Sequence, residues 1–178
     1  MTTNASLVFD QLLRVDELAQ EFEQNSRTDT EQDAQWRGII FMLNGDQVIS
    51  STSEVSEIIE VPGSLTKVPN TAPWMMGLTN FHGESLPVTD LQHFVSGTAT
   101  EQDYKCKVLV IRNRGKYLGL LVPAVLGLRH IPDQFRSEYI TLENRLDVFI
   151  YEEFDFEGQI LPLVNISALI ADTEFLMQ

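Results

Sequence analysis

The chain has 178 residues and a formal net charge of −14, long enough to bury a core in one compact domain or two small lobes. That charge repels phosphate backbones and anionic membranes, and no basic stripe with interleaved aromatics offsets it, which excludes nucleic acid as a partner. One cysteine, Cys106, permits no intrachain disulfide and fits a buried free thiol in a reducing cytosol. The longest apolar stretch, 118–128, is broken by Pro123 and too short to span a bilayer. With no signal-peptide pattern at the amino terminus, the expectation is a soluble cytoplasmic protein without direct membrane insertion.

Residues 7–23 read as a helix, because Val8, Leu12, Val15, Ala19 and Phe22 recur at alternating spacings of four and three and form one apolar stripe behind a Ser6 cap. Residues 25–33 are polar and aperiodic, a linker, so 1–35 forms an appendage. The period then becomes that of strands. Residues 39–43 form an apolar run closed by Asn44-Gly45, a hairpin signal because both central residues of a type I′ turn need positive φ; residues 48–50 return.

A strand at 55–61 ends at Pro62-Gly63, and a loop punctuated by Pro69 and Pro73 leads to a strand at 74–81. A tight turn at His82-Gly83-Glu84 sends 85–88 back. Pro87 lacks a ladder donor and is expected at a sheet edge or strand end. Asp90 caps a short apolar helix through Val95 that plugs one end of a small barrel. After the polar joint 96–103, strands are expected at 105–111, 117–122, 125–131, 148–154 and 159–163, followed by a second plug helix capped by Asn165.

This order repeats because the sequence repeats. The segment Phe81-His-Gly-Glu-Ser-Leu-Pro-Val-Thr-Asp-Leu matches Phe156-Glu-Gly-Gln-Ile-Leu-Pro-Leu-Val-Asn-Ile without a gap. Gly83 pairs with Gly158, Pro87 with Pro162, and Asp90 with Asn165. Upstream, Gly38-Ile-Ile-Phe-Met-Leu-Asn-Gly45 matches Val108-Leu-Val-Ile-Arg-Asn-Arg-Gly115, and Val55 and Ile58 fall opposite Val125 and Leu128. The repeat is longer than a solenoid period, so each copy is a small globular lobe: 36–103 and 104–178. Short strands with Gly, Pro and Asn turns describe a mainly β protein of two five-stranded antiparallel barrels plus an amino-terminal helix.

Catalysis finds little support. His82, Ser85 and Asp90 cluster near one turn, but Asp90 has a sufficient task as a cap, and the second copy replaces the three with Glu157, Ile160 and Asn165. A small hydrolase using the His82 turn is therefore the minor alternative. His82, His93 and His130 are too scattered for a metal site, and no glycine-rich phosphate loop occurs, so neither metal nor cofactor is expected.

The segment Pro73-Trp-Met-Met-Gly-Leu-Thr-Asn-Phe-His-Gly-Glu-Ser-Leu-Pro-Val-Thr-Asp-Leu, with Val55-Ser-Glu-Ile-Ile before it and Leu118-Gly-Leu-Leu-Val after it, resembles the CheW family of chemotaxis coupling proteins. The likeness covers residues 36–172 and rests on the spacing of Gly77, Asn80, Gly83, Pro87 and Asp90. It implies two SH3-like barrels and a non-enzymatic adaptor, which couples the cytoplasmic tips of methyl-accepting chemoreceptors to a CheA-type histidine kinase in arrays at the inner face of the membrane. The amino-terminal extension makes the chain similar to the PilI type, which implies control of type IV pilus twitching motility. A CheW-like scaffold for other partners is the alternative within the family.

The family usually carries arginine before the turn glycine, where this chain has His82, shorter and lacking arginine's fixed charge. On the resemblance, a receptor helix would lie in a groove between lobes lined by Val55, Ile58, Val125 and Leu128, with His82 at its rim. The kinase would meet a barrel end bearing Leu65, Val68, Phe94 and Leu169. Core packing is the competing role for all of these aliphatic and aromatic residues.

Overall fold

The computed structural model describes residues 35–138, 145–172 and 175; the expected helix at 7–23 and linker at 25–33 lie outside them. Eleven strands, two short α-helices and two 3₁₀ turns (Asp133–Phe135 and Arg145–Phe149) are set out among the described residues. They are β1 (Gln35–Leu43), β2 (Asp46–Ser51), β3 (Val55–Glu60), β4 (Met75–Phe81), β5 (Glu84–Asp90), α1 (Leu91–Ser96), β6 (Lys107–Asn113), β7 (Lys116–Val122), β8 (Ala124–Pro132), β9 (Arg136–Glu138), β10 (Ile150–Phe156), β11 (Gln159–Val164) and α2 (Ile166–Ala171). None of these helices is long and apolar enough to cross a membrane.

Four hairpins share one turn chemistry. Asn44-Gly45, His82-Gly83, Arg114-Gly115 and Glu157-Gly158 each place two consecutive residues at positive φ, between 49° and 90°, the geometry whose twist matches that of flanking strands. Glycine takes the second position of each turn without strain. The turns thus fix β1–β2, β4–β5, β6–β7 and β10–β11 as antiparallel pairs.

The sheets correct the expectation of closed, purely antiparallel barrels. One sheet has six strands in the order β8-β1-β2-β11-β10-β9, and the other has five in the order β3-β6-β7-β5-β4. Each is mixed: Val88 pairs in parallel with Gly119, and Leu163 in parallel with Ile49. The sequence match equates β1–β2 with β6–β7, β3 with β8, and β4–β5 with β10–β11. Under that correspondence the two orders are the same, with β9 added at one edge. Each sheet therefore joins the first hairpin of one repeat to three strands of the other. Strands that meet through this exchange are not connected by a tight turn and are free to run parallel. The strand sets consequently cross the division at residue 103.

Pro87 and Pro162 are not at sheet edges. They lie inside β5 and β11, both of which have neighbours on two sides. In each case the parallel ladder begins only at the next residue, Val88 or Leu163, so the missing N–H costs no bond on that side.

The five-stranded sheet is buried on both faces. Leu109 and Ile111 of β6 join the main core, while Val108 and Val110 join a second cluster with Phe81, Leu86, Val88 and Leu121. The main core takes residues from β1, β2, β6 and β7 and from both helices. Leu91, Phe94 and Val95 of α1 and Ile166, Leu169 and Ile170 of α2 enter this one core, instead of plugging separate barrels. Phe94 is its aromatic hub, edge-on to Trp74 at 5.3 Å and to Phe175 at 5.1 Å. Complete burial of such a side chain contributes about 2–3 kcal/mol.

Candidate partner-binding surfaces

The motif residues hold backbone in place. Gly77 interrupts the β4–β5 register, has φ +143°, and passes so near Thr66 that a Cβ would stand 2.6 Å from the Thr66 carbonyl oxygen. Thr66 and Leu78 exchange two backbone hydrogen bonds of 2.8 Å there. Asn80 accepts at Oδ1 from the Gly83 N–H, bracing the turn that carries His82. Asp90 is buried and accepts three bonds, from His93 N (3.0 Å), Thr100 N (2.7 Å) and Thr100 Oγ1 (2.8 Å). Asn165 caps α2 through a single bond from Ala168 N at 2.8 Å.

These contacts also dispose of a triad. The Asp90 carboxylate is occupied by the α1 cap and Thr100, and His82 Nε2 lies 3.2 Å from Glu57 Oε2, not against Ser85. Among the described residues no three His, Cys, Asp or Glu side chains gather as a metal site.

The His82–Glu57 contact joins the two ends of the five-stranded sheet, because Glu57 belongs to β3 and the turn to the β4–β5 hairpin. Both side chains stay about half exposed or more, so the pair contributes little to stability. Its interest is positional: it marks where the open sheet nearly closes.

The structure sorts the expected groove residues. Val55 and Val125 pack on the main core. Ile58 and Leu128 lie further along β3 and β8, which are the equivalent edge strands of the two sheets, and are 37% and 60% exposed. Ile58 pairs with Leu109, a main-core residue, whereas Glu57 pairs with Val110 of the second cluster. Successive side chains alternate between faces. Ile58 and the Glu57–His82 pair thus occupy opposite faces of β3, and the structure does not bring His82 beside Ile58.

Of the residues expected at a kinase-facing barrel end, Phe94 and Leu169 are core, at 1% and 0% exposure. Their helices turn inward to cover apolar surface shared by both sheets, which leaves no part of these side chains for a partner. Leu65 packs on the second cluster, and Val68 is half-buried, its carbonyl accepting from Thr71 Oγ1. Sequence reasoning missed Leu126, Val148, Tyr151 and Ile160, all large and exposed. Comparison of the repeats could have found Ile160, which stands opposite Ser85.

The CheW-like domain profile matches residues 37–174. PilI of Pseudomonas aeruginosa is 32% identical over 123 residues, 68% of this chain and 68% of that protein. FrzA of Myxococcus xanthus is 36% identical over 89 residues, 49% of this chain and 55% of its own, and the chemotaxis protein CheW of Bacillus subtilis is 24% identical over 133 residues, 74% and 85% of the respective chains. The scaffolding protein TtCheW from Thermoanaerobacter tengcongensis has a structure that superposes with a TM-score of 0.68 at 18% identity, covering 79% of this chain and 90% of that one, which shows a common fold. By a profile spanning the whole two-sheet body, and by its identity to a relative covered over two thirds of its length, the chain belongs to the family of CheW-like domains.

Proposed function

We infer that the protein is a non-catalytic coupling adaptor, linking the cytoplasmic tip of methyl-accepting chemoreceptors to a CheA-type histidine kinase in arrays at the inner face of the membrane. Its identity to PilI, together with the shorter match to FrzA, supports a chemosensory system that controls type IV pilus twitching motility. One observation carries the receptor half of this reading: Ile58 and Leu128 are aliphatic, exposed, and equivalent in the duplication, on edge strands of the two sheets. An apolar helical hairpin needs such surface on both sides of its contact.

The kinase half rests on family membership, with Leu65 and Val68 as the surviving candidates at the loop before β4. The test is a pull-down of the full chain against a receptor-tip fragment and the kinase regulatory domain. Ile58→Glu should abolish receptor capture and leave kinase capture intact. Loss of both with retention of the fold would mean that one surface serves both partners, and failure of the wild-type chain to bind either would end the adaptor reading in favour of a scaffold for other partners.

A further inference from the structure

The chain's positive charge gathers where its negative charge is missing. Residues 104–132 hold no aspartate or glutamate, yet they carry six of the twelve Lys and Arg residues, with Arg112, Arg114 and Lys116 together around the β6–β7 turn. Two surface clefts adjoin there, and both have Asn113, Arg114, Ile170 and Ala171 in their walls. The first, about 520 Å³, is polar and adds Arg112, Ser53, Ser56 and Ser167. The second, about 490 Å³, adds Lys116 and the half-buried Pro87, Tyr117 and Leu118. Each volume lies within the range of about 300–1,000 Å³ typical of small-molecule sites.

Arg112, Arg114 and Lys116 are exposed and make no ion pair among the described residues. Arg112 is nonetheless partly ordered, its guanidinium 5.7 Å from the centre of the Tyr117 ring, which lowers the entropy lost when it meets an anion. One carboxylate, Glu54, lines the polar cleft, and Ser167 engages it. Two guanidinium groups beside hydroxyl donors suit a phosphate, whose oxygens accept paired N–H bonds and further O–H bonds. The less polar cleft adjoining them suits a ring system attached to that phosphate. We propose that the paired clefts bind a nucleoside triphosphate, with its phosphates at Arg112, Arg114 and the serine hydroxyls and its base beside Tyr117 and Leu118. The site uses neither Ile58 nor Leu128 and is independent of the adaptor reading.

Fluorescence anisotropy of ribose-labelled ATP and GTP, titrated with the full chain at low salt and without divalent cation, tests this. At least one probe should bind, and its affinity should fall as salt rises. The matching unlabelled nucleotide should displace it at least about tenfold better than tripolyphosphate, because the base buries apolar surface as well. Arg112→Glu/Arg114→Glu should weaken binding at least about tenfold with an unchanged thermal melt. Glu54→Gln keeps an acceptor for Ser167, removes the like charge and should tighten binding about threefold. Lys67→Glu/Arg129→Glu makes the same change in net charge outside both clefts and should leave affinity within about twofold. Failure of both probes to bind overturns the proposal. Tripolyphosphate matching the nucleotide would leave a phosphate site without a place for the base, and equal losses in the two double variants would reduce the effect to net charge; either result also overturns it. Binding of polyglutamate in place of both nucleotides would assign the clefts to an acidic protein partner, again overturning it.

Discussion

Glu54 Oε1 accepts from both the backbone N–H and the hydroxyl of Ser167, at 2.9 and 2.8 Å. Glu54 sits in the turn before β3 and Ser167 in the first turn of α2, so a carboxylate from the first repeat satisfies a free helix amide of the second. The repeat supplies no counterpart, since the equivalent residues are Ala124 and Gln92. The bond is thus particular to one side of the duplicated body. Glu54→Ala should lower stability by about 1 kcal/mol, a charge-assisted bond discounted for exposure. A double-mutant cycle with Ser167→Ala, measured by urea melts, should give a coupling of about 0.5 kcal/mol or more; additive effects would show that the pair is unimportant.

Gly77→Ala should cost more than Gly127→Ala. Both glycines have nearly the same positive φ, 143° and 142°, but the space at Gly127 is open while Thr66 backbone occupies the space at Gly77. The Gly127 change therefore reports the conformational penalty, about 1–3 kcal/mol, and the excess at Gly77 reports the close approach. Equal melting-temperature losses in the two variants would contradict the steric account.

Asp90→Ala should destabilise by about 2–4 kcal/mol, since it leaves the His93 and Thr100 amides and the Thr100 hydroxyl without their acceptor in a buried site. Asn165→Ala removes one capping bond and should cost about 1 kcal/mol. Thermal melts of the two variants side by side would test whether the repeat's caps have diverged in this way.

Phe94→Ala should cost about 3–5 kcal/mol by leaving a cavity among Trp74, Phe149 and Phe175. Any loss of the proposed kinase binding in this variant would then reflect unfolding, and it should track the unfolded fraction measured by circular dichroism. Ile58→Glu and Leu128→Glu, at exposed positions, should stay within about 0.5–1 kcal/mol of wild type.

Local structure was legible where one residue type has one physical use. Asn44-Gly45 announced a turn, Asp90 and Asn165 announced caps, and the apolar run within 105–111 announced a strand. The internal repeat gave the correct equivalences. It did not say which copy of each hairpin joins which sheet, because an exchanged and an unexchanged arrangement make the same local contacts and differ only in long-range pairing. The parallel ladders at Val88 and Leu163 were hidden for the same reason. Phe94 and Leu169 misled because an apolar residue on a short helix looks alike in sequence whether it covers a core or waits for a partner. The Glu57–His82 and Asp90–Thr100 contacts join residues with no shared pattern, so no signal marked them.

The exchange of hairpins between sheets has a temporal consequence. When residues 1–103 have left the ribosome, β3, β4 and β5 are made, but the hairpin β6–β7 that lies between β3 and β5 is not; β1–β2 likewise has none of its flanking strands. Neither sheet can close on half a chain, so productive folding waits for the second half, and loop closure between distant strands limits its rate. The same wiring makes the halves mutually dependent molecules. Fragments 1–103 and 104–178, expressed apart, should be unstructured alone and should assemble when mixed.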